Sequence, residues 1–251
     1  MERQMSPDDE KVLTGDDYSF LVSNEHLGNN IGLLYLGGSR AYGLDTPTSD
    51  YDVRGYALLR PVDYYTMKDF GQIENKNTDT TVYSVNKFIK LLTGANPNIL
   101  EVFDAPLSVR NEEVWDLIKS NFMSFLSTRR VLNSFRGYAV QQKKRMDKII
   151  SAEDKVAIGK IGKYQCNCIR SLRMGAELLS SGLVRTYRSE DRDQLMDLKN
   201  TAYSADRFET LYQLEYNKLM EANENSVLPE KQNIKIIDDI KIEIGKLVLG
   251  R

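Results

Sequence analysis

The sequence has few of the residues that zinc sites, disulfides and histidine-dependent catalysis require. Among 251 residues there is one histidine, His26, and there are two cysteines, Cys166 and Cys168. These are too few and too far apart for a zinc site, and they argue against a histidine-dependent catalytic triad. The cysteines lie two positions apart in a predicted helix, on different faces, so we expect no disulfide between them and no disulfide-linked partner. They are expected to be small packing residues in a reducing compartment.

Long hydrophobic stretches are also missing. No apolar run reaches the roughly 18 residues that a membrane-spanning helix needs. The first ten residues are polar and acidic, unlike a signal peptide. Hydrophobic residues make up 41% of the chain and charged residues 28%, which is usual for a soluble globular protein. We therefore expect a cytoplasmic protein without a membrane partner.

The chain has no excess of positive charge. Its formal net charge of −2 argues against strong non-specific affinity for nucleic acid. It does not exclude an RNA end as a substrate, because basic residues cluster locally, most densely over 141–148. The simplest interpretation of that cluster is a solvated face of a helix.

The most informative stretch, residues 37–55, begins with a glycine-rich turn. Ile31–Leu36 is an apolar run of the length expected for a buried strand, and Gly37, Gly38 and Ser39 follow it directly. Glycines permit positive φ and close backbone approach, and successive N–H groups of such a turn can form an anion-binding concavity. The Ser39 hydroxyl adds a donor. This pattern predicts a phosphate-binding turn.

A pair of carboxylates follows about a dozen residues later. Asp50 and Asp52 open a second predicted strand, which runs to Leu59. Side chains alternate across a strand, so the two aspartates share a face while Tyr51 points away. Two carboxylates on one face repel each other unless a cation intervenes, and Mg²⁺ binds through one or two carboxylates together with substrate phosphates. The turn and the pair together predict a site for a nucleoside triphosphate with Mg²⁺ or Mn²⁺.

This stretch resembles the signature of the DNA polymerase β superfamily of nucleotidyltransferases, which is Gly-Ser followed at an interval by Asp-x-Asp. Three more segments look like the predicted nucleotidyltransferases often found beside RNA ligases in phages and bacteria. They are the Lys-Phe…Asn-Pro-x-x-Leu-Glu segment at 87–101, the Gly-Tyr-Ala-x-x-Gln helix at 135–141 and the C-terminal helical half from 163 to 179. The resemblance spans about residues 30–215. For a phage-encoded member, the expected compartment is the host cytoplasm.

The resemblance implies transfer of a nucleoside monophosphate from an NTP to a hydroxyl or phosphate acceptor, with release of pyrophosphate. It also implies two cations held by Asp50, Asp52 and a third carboxylate at the next strand. Asp79 fits that place best, because it directly precedes the predicted strand Thr80–Tyr83. Glu101 is the alternative. Asp50, Asp52 and Asp79 are thus the predicted catalytic and metal-binding residues.

Basic residues are expected to help hold the triphosphate. Arg40 follows the glycine turn directly, and Lys163 and Arg170 lie seven residues apart on one face of a predicted helix. Where the family's helix has His-x-x-Arg, this chain has Asn167 before Arg170, so an acid–base role of that histidine does not transfer. The predicted nucleotide-binding residues are Gly37, Gly38, Ser39, Arg40, Lys163 and Arg170.

The acceptor and the presence of catalysis are open at this point. An RNA end, as in repair or modification of tRNA or other RNA, is the favoured acceptor because of the association with RNA ligases. A protein hydroxyl, as in toxin-like nucleotidyltransferases, and a small molecule are alternatives. A nucleotide-binding regulator without catalysis is another, although such a protein needs no repelling carboxylate pair. A structural Ca²⁺ domain is disfavoured, because the loop lacks the oxygen density and spacing of an EF-hand.

The hydrophobic periodicity changes along the chain. A predicted helix over Asp17–His26 comes first, and strands and helices then alternate up to residue 108. This part includes an irregular segment at 60–78 and a helix over Val85–Thr93 capped by Ser84. Beyond residue 108, helical periodicity covers 112–125, 130–149, 154–179, 188–200, 205–223 and 236–247. This predicts an α/β (α+β) fold with a small mixed sheet. The expected domains are a nucleotidyltransferase catalytic domain over 1–108 and a helical domain over 109–251 that closes the cleft.

Overall fold

The computed structural model describes residues 3–66, 70–152 and 158–250. The chain forms two compact units. The first contains residues 1–93, 98–125 and 232–251, and the second contains residues 94–97 and 126–231. Residues 109–125 and the last twenty residues thus group with the first unit. The expected division into domains at residue 108 stays a prediction.

The first unit contains a mixed five-stranded sheet, which confirms the predicted fold class. Its strands are β1 Ile31–Leu36, β2 Val53–Ala57, β3 Gln72–Asn75, β4 Thr80–Ser84 and β5 Leu107–Val109. Their order is β3-β4-β2-β1-β5, and only β2 and β4 are parallel neighbours. The register pairs Leu36 with Val53, and Val53 with Thr80. The end of β1 and the starts of β2 and β4 therefore meet at one edge of the sheet.

Two predictions need correction, and a third strand, β5, has no counterpart among the predicted strands. The predicted strand over residues 50–59 is shorter: β2 covers only Val53–Ala57, and both aspartates lie in the loop that leads into it. β3 lies within the segment predicted to be irregular; it is a polar edge strand with one hydrophobic residue, Ile73, so its sequence carries no alternation. β5 is another edge strand, with only three residues.

Nine of the α-helices in the described chain lie wholly or mostly in the first unit, together with the sheet. They are α1 Pro7–Leu13, α2 Phe20–Ser23, α3 Gly38–Tyr42, α4 Pro61–Tyr65, α5 Val85–Thr93, α6 Pro97–Leu100, α7 Glu112–Ser120, α8 Phe122–Phe125 and the last helix, Ile234–Leu249. The helix predicted over Asp17–His26 is wrong as a single element, since a 3₁₀ turn at Asp16–Tyr18 and the short α2 occupy that region. The prediction of α5 is confirmed, and the Ser84 hydroxyl accepts the Lys87 N–H at 3.2 Å.

The two faces of the sheet are covered by different segments. On one face Leu34, Leu36 and Val53 pack in a hydrophobic cluster with Leu13 and Tyr18 from the N-terminal segment. On the other face the Tyr56 ring lies 5.0 Å from the Phe88 ring of α5, centroid to centroid. The Tyr35 hydroxyl on this second face donates to the Asn98 carbonyl at 2.9 Å. The segment that begins at α6 therefore lies over the face of β1 and β2 that carries Tyr35.

The second unit is helical. Its main helices are α9 Thr128–Ser151, α10 Ile161–Ser181, α11 Arg192–Thr201 and α12 Ala205–Glu224, so that the helix Ile234–Leu249 is α13. The helices predicted over 130–149 and 205–223 are confirmed. The helix predicted over 188–200 begins only at Arg192. Part of the helix predicted over 154–179 lies outside the described residues, and the described part begins with a 3₁₀ turn at Ile158–Lys160 that leads into α10. A Cβ on Gly175 of α10 would lie 2.8 Å from the Phe135 Cβ, and one on Gly162 would lie 2.5 Å from the Leu198 carbonyl oxygen. Close packing around α10 thus depends on small residues.

Cys166 and Cys168 lie buried in α10 and are not bonded to each other, as predicted. Burial raises the pKa of the Cys168 thiol to about 12. Such a thiol is uncharged at neutral pH and is a packing residue. Within the described residues, no helix is both long and apolar enough to span a bilayer.

Candidate active site

The glycine-rich segment forms the junction between β1 and the short helix α3. Gly37 precedes the first residue of α3, and Gly38 has a φ of +59°, in the left-handed region that favours glycine. A Cβ on Gly38 would lie 2.8 Å from Oδ2 of Asp52. Position 38 therefore requires glycine both for its backbone conformation and for the carboxylate beside it. Ser39 follows in the first turn of α3, where N–H groups have no partner within the helix.

Main-chain hydrogen bonds hold Asp52 at this junction. The Gly37 N–H donates to the Asp52 carbonyl at 2.7 Å, and the Val53 N–H donates to the Asp79 carbonyl at 3.2 Å. The Asp52 side chain is 20% exposed. The two sequence elements that predict a nucleotide site, the glycine turn and the second aspartate, are therefore in direct contact.

Arg54 joins two carboxylates at the site. Its Nη2 donates to Oδ2 of Asp52 at 2.6 Å, and its Nη1 donates to Oε2 of Glu101 at 3.1 Å. The Tyr42 hydroxyl donates to the other oxygen of Glu101. Burial disfavours the charged guanidinium, but the nearby charges of Glu101 and Asp52 outweigh this and raise the pKa of Arg54. The group therefore stays cationic between two carboxylates.

Sequence reasoning missed Arg54 and Tyr42. A signal for Arg54 was available, because it is two residues beyond Asp52 and so shares its face. Tyr42 offered none. Glu101, the alternative third carboxylate, is 1% exposed and engaged by Arg54 and Tyr42. Its position makes it a residue that orients Arg54.

The other predicted carboxylates lie near the same sheet edge. Asp50 is exposed, two residues before Asp52. Asp79 is exposed, with a φ of +46°, and the pairing of Val53 with Thr80 sets it level with Asp52 on the parallel neighbour. Within residues 3–66, 70–152 and 158–250, however, no three His, Cys, Asp or Glu side chains form a group that could hold a metal ion. The predicted three-carboxylate ligand set stays a prediction.

The two aspartates have the chemistry of a site for a hard cation. Asp52 lies against a glycine turn, and Asp50 adds a second carboxylate with solvent access. Two carboxylates suit a hard cation such as Mg²⁺, which completes its coordination with phosphate oxygens and water.

Arg40 contacts the acidic loop. Its Nη2 donates to the Ser49 carbonyl at 2.9 Å, and its Cζ lies 3.8 Å from the centroid of the Tyr51 ring. These contacts tie α3 to the segment that carries Asp50. The phosphate-binding role expected of Arg40 stays a prediction.

Lys163 and Arg170 belong to the helical unit. Lys163 is exposed near the start of α10, whereas Arg170 is 4% exposed and its Nη1 contacts the Met174 sulfur at 3.2 Å. Asn167 is half-buried between them. The face that the two basic residues were expected to share is thus exposed at one end and buried at the other, and their nucleotide-binding role stays a prediction.

Comparison with known proteins gives one family match and no curated relative. Residues 21–243 match the model of the RlaP family, described as the RNA repair pathway DNA polymerase beta family. No curated protein matches the chain significantly. The matched region includes the glycine turn, both aspartates, Arg54, Glu101 and the four main helices of the second unit. The chain therefore belongs to the RNA repair pathway DNA polymerase beta family, a family of polymerase β-like nucleotidyltransferases.

Proposed function

We propose that this protein is a Mg²⁺- or Mn²⁺-dependent nucleotidyltransferase that moves a nucleoside monophosphate from an NTP to an RNA end and releases pyrophosphate. One observation carries the proposal: a Cβ on Gly38 would lie 2.8 Å from Oδ2 of Asp52. A phosphate held by the N–H groups of the turn and a cation held by Asp52 would therefore be neighbours. That arrangement is what transfer of a metal-bound nucleotide requires.

Each residue of the site has a role in this proposal. Asp50 and Asp52 would hold the cation, which when bound polarises the phosphate and lowers the pKa of the attacking hydroxyl. The N–H groups of Gly38 and Ser39 would donate to phosphate oxygens. Arg54 orients Asp52 through the 2.6 Å hydrogen bond.

The choice of third carboxylate favours Asp79 over Glu101. Asp79 is exposed and level with Asp52, so its carboxylate is accessible from the sheet edge. Glu101 already uses both oxygens in contacts with Arg54 and Tyr42. An additional role as a metal ligand would break one of those contacts and leave Arg54 without its buried counter-charge.

The family description supports RNA as the acceptor, since it assigns these proteins to an RNA repair pathway. One observation favours a second candidate, a nucleotide-binding regulator without catalysis. The pairing of Asp52 with Arg54 at 2.6 Å already neutralises the carboxylate that a catalytic cation would need. In a regulator this pair would persist when nucleotide binds.

Labelled nucleotides distinguish the two candidates. The purified protein is incubated with each α-labelled NTP, with Mg²⁺ or Mn²⁺, and with total RNA and a protein extract. The variants are Asp50→Asn and Asp52→Asn, which remove charge with little change of shape. Asp16→Asn, at an exposed carboxylate of the 3₁₀ turn, is the matched control.

Label on RNA that depends on Asp50 and Asp52, and that persists in the Asp16 variant, would support the proposal. Label on a protein band with the same dependence would replace RNA by a protein acceptor. If no NTP gives label while calorimetry shows nucleotide binding that is unchanged in Asp52→Asn, the regulator is the better description.

A further inference from the structure

One face of α9 is buried within the helical unit, and this determines which face of the helix is exposed. Phe135, Ala139 and other inward residues of α9 are buried. The Ser171 hydroxyl of α10 donates to the Phe135 carbonyl at 3.0 Å, and the Cys168 thiol contacts the Ala139 carbonyl at 3.4 Å. Since α10 covers this face, the opposite face of α9 points to solvent.

The positive charge of the chain is concentrated on α9. Seven basic residues and one acidic residue, Asp147, lie between Thr128 and Ser151, whereas the other 227 residues carry 27 basic and 35 acidic ones. The exposed cations of the helix are Arg129, Arg130, Lys144, Arg145 and Lys148. A chain with a net charge of −2 thus has a strongly basic surface along α9.

These exposed cations also lack acidic partners among the described residues. Among the residues that the structure describes, no carboxylate oxygen lies within 4.0 Å of any of the five. Other basic residues of the same unit are neutralised: Lys143 pairs with Glu209, and Arg173 pairs with Asp191 at 2.8 Å. Within the described part of the chain, the charge of these cations is therefore not neutralised by ion pairs, as it would be on a salt-bridged helix surface.

The exposed residues form a continuous stripe along the helix. At successive steps of three or four residues they are Arg130, Asn133, Gly137, Gln141, Lys144 and Lys148, which we call the α9 stripe, and all six are exposed. Its ends are 18 residues apart, about 27 Å along the helix axis. Every member is basic, an amide or glycine, so every side chain can donate a hydrogen bond or leave room for a ligand.

Gly137, near the middle of the stripe, gives independent support for a ligand. Glycine within a helix is unfavourable relative to alanine, and such a residue usually has a packing or functional reason. A Cβ at this position would meet no atom of the described residues within 4 Å, so none of these residues requires its absence. The missing side chain leaves the helix backbone open to close approach from solvent.

We propose that the α9 stripe binds the phosphate backbone of structured RNA, which crosses the helix at Gly137 and is contacted by Arg130, Lys144 and Lys148. The choice of RNA among polyanions rests on the proposed function. A lipid surface fits less well, because a membrane-binding helix needs an apolar face. All of α9 is described, and Ile150 is its one exposed large apolar residue.

Charge neutralisation tests the surface. The triple variant Arg130→Gln, Lys144→Gln, Lys148→Gln of the 251-residue chain is compared with a control that removes the same charge elsewhere. The control changes exposed lysines of the first unit and its boundary, Lys231→Gln, Lys235→Gln, Lys241→Gln. Binding of a fluorescent RNA hairpin is measured by anisotropy over a range of salt concentrations. We expect the stripe variant to lose roughly tenfold to a hundredfold in affinity and its log–log salt slope to fall by about 2 to 3, while the control changes little.

A second variant tests close approach without a change of charge. Gly137→Leu places a bulky side chain in open space and favours the helix, so its melting temperature should equal or exceed that of the wild type. We expect it to bind the hairpin several-fold more weakly. Wild-type affinity in this variant would overturn the crossing at Gly137.

Equal hairpin affinities of the stripe variant and its control would overturn the proposed surface. If polyglutamate of matched charge displaces the hairpin as well as unlabelled hairpin does, the surface is a site for acidic protein and the RNA assignment fails. The binding readout is independent of catalysis. If the wild-type protein binds the hairpin through the stripe but transfers no nucleotide, only the proposed function is contradicted. If the wild-type protein transfers nucleotide while the stripe variant binds the hairpin normally, only the proposed surface is contradicted.

Discussion

Arg54 donates a hydrogen bond of 2.6 Å to Asp52, the aspartate that lies against the glycine turn. Its other terminal nitrogen contacts Glu101, whose side chain is 1% exposed. One guanidinium therefore orients an aspartate at the surface of the site and supplies the counter-charge for a buried glutamate. This double role ties the stability of the sheet unit to the geometry of the candidate active site.

Replacement of Arg54 by alanine should destabilise the protein strongly. The change leaves the Glu101 carboxylate buried without a counter-charge, and loss of one partner from such a pair costs about 3 kcal/mol or more. Urea unfolding followed by circular dichroism measures this, with Arg129→Ala, at an exposed arginine, as a control expected to change stability by less than about 0.5 kcal/mol. The double variant Arg54→Met, Glu101→Gln should recover part of the loss; a double variant as unstable as Arg54→Ala would contradict this explanation.

Gly38→Ala should impair nucleotidyl transfer more than it impairs folding. Alanine in the left-handed region costs about 1–2 kcal/mol, and its methyl group would displace the Asp52 carboxylate, whose Oδ2 lies 2.8 Å from the place that a Cβ would occupy. Since a displacement of about 1 Å in a catalytic group can cost about a hundredfold in rate, a loss of that order is expected in the labelling assay. Gly159→Ala is the control, because its Cβ would meet no atom of the described chain within 4 Å. Full activity in Gly38→Ala would show that Asp52 need not lie where it does.

Variants of Arg40 and Tyr51 distinguish a positioning role from a phosphate contact. Because Arg40 stacks on Tyr51 and bonds to Ser49, we expect Arg40→Gln and Tyr51→Leu to lower kcat by similar factors, about tenfold each, through a displaced Asp50. Tyr51→Phe keeps the ring and should retain activity. The measurement is kcat and KM for the NTP. A rise in KM confined to the Arg40 variant would instead indicate the phosphate contact predicted from the sequence.

The helical unit should lose stability in acid through Asp191. Burial raises the pKa of this carboxyl, but hydrogen bonds from Arg188 and Arg173 outweigh burial and hold the pKa below its usual value. A lowered pKa in the folded state means that the stabilisation is present above the unfolded-state pKa, near 3.9, and is lost as the pH falls through the folded-state value. Asp191→Asn should therefore be less stable than the wild type at pH 7, by about 2 kcal/mol.

Urea unfolding of both proteins at a series of pH values between neutral and strongly acidic checks this. The difference between the wild type and Asp191→Asn should shrink as the pH falls and approach zero once Asp191 is protonated. Asp193→Asn, at an exposed position in the first turn of α11, is the control. A difference that stays constant with pH would mean that Asp191 acts through shape and not through charge.

The elements with strong local signals were predictable from the sequence. β1 is an apolar run between polar segments, and α5, α9, α10 and α12 have an apolar periodicity that only one helix face can satisfy. The elements that escaped prediction lack such signals. β3 is polar and β5 has three residues. Each joins an edge of the sheet because a strand from elsewhere in the chain offers it free hydrogen-bonding groups.

The sequence by itself determined the family and the central parts of the candidate site, the glycine turn and the two aspartates. These parts lie within sixteen residues, so the pairing of two strands is enough to bring them together. The tertiary structure alone decided which residues surround them. Glu101 reaches Arg54 across 47 residues and Tyr42 across 59, because the segment after α6 folds over one face of the sheet. Contacts at such separations depend on how whole elements pack, and no local pattern of residues encodes them.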